Sequence, residues 1–269
     1  MPEQDFTLND LVTAVRLSRK YSQLSRSLIE RIAIHELGKH KDLKTTTKAV
    51  RTRLHRLAGA FLQDKIDYAH WLDKFRVISE EDYQKHTDLC LQMMRAHAST
   101  KERLPFLEHF FTTTLKTIAP IRSVLDLACG LNPLAIPFMP LATDAVYQAC
   151  DVVEPMINFL QNWLTLRKIN GTAYVLDLLE EIPQYKSHVT FILKTLPILD
   201  QVEPSFSSQL LDKIASEHIL ISYPSRSLGG RSKGMEQTYT EHFNQLVSSR
   251  NFQIQRFDFS NEIAFLLSR

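Results

Sequence analysis

Apolar positions follow two different rhythms along this chain, and the change falls near residue 100. Before it they recur at helical spacing, as in Leu8, Leu11, Val12 and Val15, then Leu24, Leu28 and Ile32, then Val50, Leu54, Leu57, Ala58 and Phe61. Each set makes one apolar stripe on a helix, which predicts a helical domain over residues 1–104. In residues 105–269 short apolar runs alternate with helical stretches. Strands are predicted over 122–127, 146–150, 172–176, 188–193 and 217–222, and helices near 133–141, 154–168, 205–216 and 235–248. This alternation predicts an α/β fold with a doubly wound, Rossmann-like parallel sheet. Phe252–Phe257 and Ile263–Leu267, joined through Ser260-Asn261-Glu262, read as an antiparallel hairpin on the sheet edge.

One strand leads directly into candidate chemistry. Val124–Leu127 is an apolar run suited to a strand buried on both faces, and it is followed by a turn at Gly130 and a helix begun at Pro133. Gly130 lets the backbone pass close to a ligand. A second apolar run, Ala145–Cys150, ends in Asp151, the position from which an acid grips ribose hydroxyls. A dinucleotide fingerprint would carry three glycines, whereas Asn132 and Pro133 occupy this turn. The pattern therefore favours a cofactor with ribose and adenine but no pyrophosphate, namely S-adenosylmethionine. The alternative is that Asp126 and Asp151 only end strands as turn residues.

Composition and charge add the partner. With 44% hydrophobic residues in 269, the chain can bury a full core. No run of ~18 uncharged apolar residues is present, and Met1–Asp10 is polar and acidic, so neither a membrane span nor a signal peptide is expected and the predicted location is cytoplasmic. Cys90, Cys129 and Cys150 form no CxxC pair, so no disulfide framework or metal site is expected. Residues 1–122 hold 21 basic against 15 acidic side chains, and residues 123–269 hold 11 against 15. The densest basic segment contains Lys39, Lys41, Lys44, Lys48, Arg51, Arg53 and Arg56, with His40 and His55, against the single acid Asp42. It suits a polyanion, or else is a solvated helix face.

Three further stretches flank the predicted crevice. His97-Ala-Ser-Thr-Lys-Glu-Arg103 could reach a cofactor carboxylate, Arg103 bidentately, or form a capping box from Ser99 and Glu102. Ser222–Glu236 carries Arg226, Arg231 and Lys233 on a loop hinged by Gly229, Gly230 and Gly234. Phe191–Pro197 ends the fourth strand.

With these motifs in order, the chain resembles the aminoglycoside-resistance 16S rRNA methyltransferases of the Arm/Rmt type. The resemblance rests on His97–Arg103 (HASTKER), Val124–Pro133 (VLDLACGLNP), Lys194–Leu199 (KTLPIL) and Ser225–Glu236 (SRSLGGRSKGME), and extends to Lys48–His55 (KAVRTRLH). It implies a seven-strand methyltransferase fold that transfers a methyl from S-adenosylmethionine to N7 of one decoding-site guanine in the assembled 30S subunit, giving resistance to 4,6-disubstituted deoxystreptamine aminoglycosides. It further implies that His97, Ser99, Thr100, Lys101, Arg103 and Gly130 line the methionine end, that Asp151 holds the ribose, and that Asp177, with Leu178 and Leu193 beside it, takes the adenine. Lys194, Pro197, Arg231, Lys233 and Glu236 would position the target base, with Tyr223 or Phe106 as a stacking partner or as plain core. Lys39, Lys41, Lys44, Lys48, Arg51, Arg53, His55 and Arg226 would meet the rRNA. Guanine N7 carries no proton, so no acid–base catalyst is expected. A monomer without an obligate protein partner or membrane contact is expected. The alternatives are an enzyme acting on adenine N1 at the same site and a catalytically silent ribosome-binding protein.

Overall fold

A computed structural model of the protein describes residues 5–58, 66–225 and 234–269. The apolar run that opens the predicted crevice forms the end of β1 (Ile121–Leu127), where four consecutive residues are buried. β1 lies inside a seven-stranded sheet together with β2 (Leu141–Asp151), β3 (Gly171–Val175), β4 (Val189–Leu193), β5 (His218–Pro224), β6 (Gln253–Asp258) and β7 (Glu262–Ser268), in the order β3-β2-β1-β4-β5-β7-β6. The first five strands pair in parallel. The strand order reverses between β1 and β4, and a crevice opens beyond the carboxyl ends of strands at such a point. The chain-terminal hairpin forms as predicted, with β7 antiparallel to both β5 and β6.

The amphipathic stripes of the first hundred residues form α1 (Leu8–Arg16), α2 (Arg26–Glu36), α3 (Leu43–Ala58), α4 (Tyr68–Arg76) and α5 (Tyr83–Met94), followed by α6 (Ala98–Arg103) and α7 (Leu107–Thr114). Thr7 caps α1 through a full capping box with Asp10, and Ser25, Asp67 and Asp82 cap α2, α4 and α5. α1, α2 and α3 pack on one another, and their apolar faces run on into the core of the sheet. One continuous cluster runs from Leu11, Ile29 and Phe75 through Trp163 of α8 (Glu154–Leu166) to Phe191, Leu220 and Leu266 on one sheet face. Leu125, Ile192 and Ile221 pack the other face against α10 (Phe206–Lys213) and α11 (Met235–Val247). The helices of the first hundred residues and the sheet therefore share a core across the boundary expected at residue 104.

Several elements differ from the pattern-based expectation. The helix predicted over 133–141 is a 3-10 segment, Asn132–Phe138, because Pro137 has no N–H to extend an α-helix, and β2 begins at Leu141. A helix absent from the prediction, α9 (Leu196–Val202), follows β4 with Pro197 in its first turn. The Ser99–Glu102 capping box does not form: α6 starts after His97 without a side-chain cap, and the Glu102 carboxylate accepts from Lys194 Nζ at 2.7 Å instead. Tyr223 is fully buried and stacked 5.3 Å from Tyr239, and Phe106 stacks on Phe259, so both aromatics serve packing. Phe61 and the loop residues Arg226, Gly229, Gly230, Arg231 and Lys233 lie outside the described residues. No helix among the described residues is long and apolar enough to cross a membrane.

Close backbone approach fixes the β2–β3 edge. A Cβ on Gly171 would sit 2.5 Å from the Tyr147 carbonyl oxygen, and neither ladder partner can retreat without breaking register. Gly171→Ala is expected to cost ~1–3 kcal/mol and to lower the thermal unfolding midpoint by several degrees. Scanning calorimetry of parent and variant checks this, and an unchanged midpoint would mean that the edge yields freely.

Candidate active site

The cavity at the carboxyl ends of β1, β2 and β4 encloses about 1040 Å³, including its open mouth. It gathers His97, Ser99, Thr100 and Arg103 from before the sheet, Gly130 from the turn after β1, Asp151 from β2, Asp177 and Leu178 from the loop after β3, and Leu193 and Lys194 from the end of β4. Its remaining walls are largely apolar, from Leu28, Val152, Leu179, Ile198, Leu199 and Val202. Every predicted cofactor residue except Lys101 is thus brought together. Lys101 is exposed and no wall of the cavity, because the helical spacing of His97, Thr100 and Arg103 fills the inner face of α6 and puts Lys101 on another.

The turn after β1 is built around Asp151. One carboxylate oxygen accepts from Gly130 N–H at 3.0 Å and the other from Val153 N–H at 3.2 Å. Burial raises the Asp151 carboxyl above its ordinary range, and those backbone donors pull it back. Gly130 has φ +54°, and a Cβ there would lie 2.7 Å from His97 Cε1, so only glycine leaves the imidazole its place. Burial drives the His97 imidazole down to about 4, so it is neutral at physiological pH. Asp177 accepts from Leu179 N–H at 3.0 Å and from Arg31 Nε at 3.2 Å.

A charged cluster closes the opposite end. Arg103 is buried and donates through Nη2 and Nε to both oxygens of Glu262, at 2.5 and 3.1 Å, and through Nη1 to Asn132 at 3.3 Å. The bidentate partner of this arginine is therefore a carboxylate of the chain itself. Lys194, in the left-handed region at φ +61°, lies 2.7 Å from Glu102 and 3.3 Å from Glu262. Burial would raise the Glu262 carboxyl, but Arg103 and Lys194 hold it below its usual value. Beneath this cluster a single oxygen of Asp126 accepts from Tyr147 Oη at 2.7 Å and Asn132 Nδ2 at 2.9 Å. Glu262, Glu102, Asn132 and Arg31 were not expected here. Glu262 read as a hairpin connection and Arg31 as one of many polar helix positions, and neither carries a local signal of its distant partner.

The basic segment of residues 39–56 divides in two. Lys41, Lys44 and Lys48 are exposed, as is His55, whose Nδ1 is 3.2 Å from Lys20 Nζ. Arg51 instead donates to the carbonyls of Ala14 and Val15 at the end of α1. Arg53 and Lys39 meet the buried Glu36 at 2.8 and 3.3 Å. Glu236 is exposed and paired with Arg256 at 2.9 Å, in a separate depression with Ser225 and Asp258. Pro197 is partly buried beside the cavity without lining it. At the far end of the sheet His188, Glu217 and His218 cluster, but Arg122 bridges Glu217 at 3.2 Å and its backbone N–H donates to His188 Nδ1 at 3.1 Å. That bond leaves the proton of the neutral imidazole on Nε2, so neither ring nitrogen of this tautomer offers a free lone pair to a metal.

Comparison with known proteins places this geometry. Residues 17–266 match the model of the ribosomal RNA methyltransferase (FmrO) family. The chain belongs to that family. Among curated members it is 31% identical over 268 residues to a 16S rRNA (guanine(1405)-N(7))-methyltransferase of Micromonospora rosea, covering 98% of each chain. A protein of the same name from Serratia marcescens is 33% identical over 236 residues, 88% of each. Its fold is similar to that of the 16S rRNA methyltransferase RmtF crystallised with S-adenosyl-L-homocysteine, with TM-score 0.84, 26% identity and coverage of 99% of this chain and 100% of that one. The 16S rRNA methylase RmtB gives 0.78 at 25% identity, covering 98% of both.

The buried Asp126 gives this family member a pH signature. Burial pushes its carboxyl from an ordinary 3.8 up to about 7. Folding therefore takes up a proton between those values, and the stability this contributes is complete below pH ~4 and lost as pH rises through ~7. Asparagine keeps a carbonyl oxygen for both donors and never ionises. Asp126→Asn is expected to match the parent near pH 4 and to exceed it by ~1–4 kcal/mol at pH 8 in chemical denaturation. Parallel curves for the two proteins across that range would exclude a neutral Asp126.

Proposed function

We propose that this chain is a 16S rRNA (guanine(1405)-N7)-methyltransferase that uses S-adenosylmethionine on the assembled 30S subunit and thereby confers resistance to 4,6-disubstituted deoxystreptamine aminoglycosides. The observation that carries the reading is the coincidence of near full-length similarity to relatives of that name with a cavity whose acids sit at the carboxyl ends of β2 and β3. The residues present fit the cofactor. Asp151 and Asp177 offer acceptors 26 positions apart in sequence to ribose hydroxyls and the adenine amino group, Val152, Leu178 and Leu199 give a flat aromatic ring apolar contact, and Gly130 clears backbone room between them. At the other end Arg103, Lys194, Glu102 and Glu262 sum to zero charge, a match for a zwitterionic amino acid rather than a phosphate.

Held in this cavity, S-adenosylmethionine would supply the methyl of its sulfonium. The guanine N7 lone pair would take that methyl as its bond to sulfur breaks, leaving S-adenosyl-L-homocysteine, and N7 carries no proton to lose, so no residue of the chain needs to act as a base. What the residues contribute is alignment and exclusion of water. Lys194 and Thr195, at the end of β4, border the face where a base turned out of its helix would enter, and the residues of 226–236 would contact it there. Lys41, Lys44 and Lys48 would meet rRNA phosphates, joined by Lys39, Arg53, His55 and Arg226, while Arg51 serves the fold. The protein would act as a monomer in the cytoplasm, with the 30S subunit as its partner.

Two measurements test the reading. Reversal of Lys44 or Lys48 to Glu is expected to weaken 30S binding and to reduce its salt dependence by about one unit of slope per lost phosphate contact, with the unfolding midpoint unchanged. Arg51→Ala should instead lower the midpoint, because the Ala14 carbonyl loses the guanidinium donor that it meets at 2.6 Å. Equal 30S binding by the lysine variants would make that surface a solvated face.

Expression in a susceptible bacterium is expected to raise resistance to gentamicin, amikacin and kanamycin while leaving apramycin effective, with borohydride/aniline cleavage of 16S rRNA at the methylated guanine. A cationic methylated N7 removes the acceptor that the first three drugs address. Apramycin resistance would point to the adenine-N1 enzyme, and a folded protein giving no resistance would point to a silent ribosome binder.

A further inference from the structure

The adenine side of the cavity is completed by a side chain from the helical half. Asp177, at the carboxyl end of β3, has two oxygens held from opposite sides: one by Leu179 N–H two residues on, the other by Arg31 Nε from α2, 146 positions away in the chain. The Asp177 side chain is 3% exposed and Arg31 27%. We propose that Arg31 is a positioning residue of the cofactor site, fixing the Asp177 carboxylate as the acceptor for the adenine amino group. This rests on the cofactor reading of the cavity given above.

The chain path supports a role beyond surface pairing. α2 is attached at its start to the segment that follows Asp151, through Ser25 N–H to the Val152 carbonyl at 2.7 Å and a bridge between Leu24 and Val153. Its first turn supplies Leu28 to the cavity wall. One helix is thus tied to the neighbourhood of both acids. A carboxylate among Leu28, Leu178 and Leu179 would tend to take up a proton and turn from acceptor to donor. Burial does raise Asp177, and Leu179 N–H and the Arg31 guanidinium oppose that rise, while Glu180 adds to it. An adenine amino group offers only donors, so it is held more strongly by an ionised Asp177, whose oxygens are all acceptors, and that is the state an adjacent guanidinium favours. The same helix ends in Glu36, which collects Arg53 and Lys39 of the basic segment, so the helix that forms a wall of the cofactor site is also tied to the segment proposed to meet the RNA.

The test uses calorimetric titration of the full chain with S-adenosyl-L-homocysteine and with its inosine analogue, which lacks the exocyclic amino group. Arg31→Ala is expected to weaken S-adenosyl-L-homocysteine binding ~10-fold, to lose most of the parent's preference over the inosine analogue, and to be largely rescued by Arg31→Lys. In combination with Asp177→Asn it should weaken binding no further than Asp177→Asn alone, since both changes remove one interaction. The unfolding midpoint and 30S affinity should stay near the parent's. Parent-like binding by Arg31→Ala, retained selectivity, or losses that multiply in the double variant would each overturn the proposal. A parent that takes up neither ligand overturns the cofactor reading and this proposal together. A parent and variants that bind as expected but leave 16S rRNA unmethylated would overturn only the rRNA function.

Discussion

The arrangement of the site depends on a buried ion cluster, Arg103–Glu262–Lys194. Arg103 and Glu262 are almost fully excluded from solvent, at 1% and 0% exposure, and lie 159 positions apart in the chain. A buried ion pair contributes little net stability against apolar residues of the same size, but one partner without the other would leave a buried charge at a cost of ~3–5 kcal/mol. The closing hairpin that carries Glu262 must therefore dock on the segment that carries Arg103. Asn132 and Phe110 secure the same guanidinium, the second at 4.5 Å over its ring, so the turn after β1 and helix α7 are placed by the same group. Lys194 accepts a left-handed backbone to reach both Glu102 and Glu262, a conformation kept only where the surroundings fix it.

The second constraint is that the core of the helical half is continuous with that of the sheet. Its apolar stripes are completed by α8 and the sheet, and its α2 contributes Leu28 and Arg31 to the cavity. Isolated helices of this length are marginal in water, and packing on one another and on the rest of the shared core supplies their stability. The surface bearing Lys41, Lys44 and Lys48 thus shares one continuous core with the sheet that carries Asp151. Under the function proposed above, RNA docked on the first would sit on the same folded unit as a methyl donor in the second.

The basic segment illustrates how a sequence cluster is divided by folding. Arg51 is drawn inward by two carbonyls at the end of α1, and Lys39 and Arg53 are drawn together by Glu36. Burial would raise the Glu36 carboxyl, but these cations hold it below its ordinary range, which keeps it charged and the pairs intact at physiological pH. Lys41, Lys44 and Lys48 stay exposed on the surface, where the function proposed above would have them meet phosphates.

The sequence by itself determined the elements whose signal is local. Strand runs, amphipathic stripes, the closing hairpin, the Gly130 turn and the acids at strand ends each follow from residues a few positions apart, and the motifs HASTKER and VLDLACGLNP carried the family resemblance. The 3-10 segment at Asn132–Phe138 could be missed because Pro133 starts a helix as readily as Pro137 stops one. Tertiary structure decided everything that needed a distant partner: Glu262 against Arg103, Arg31 against Asp177, Glu102 turned from a cap to Lys194, Arg51 turned from the surface to α1, and Lys101 left outside the cavity. These are electrostatic and hydrogen-bonding choices between groups up to 159 positions apart, and periodicity reports which face a residue occupies but not which charge waits across it.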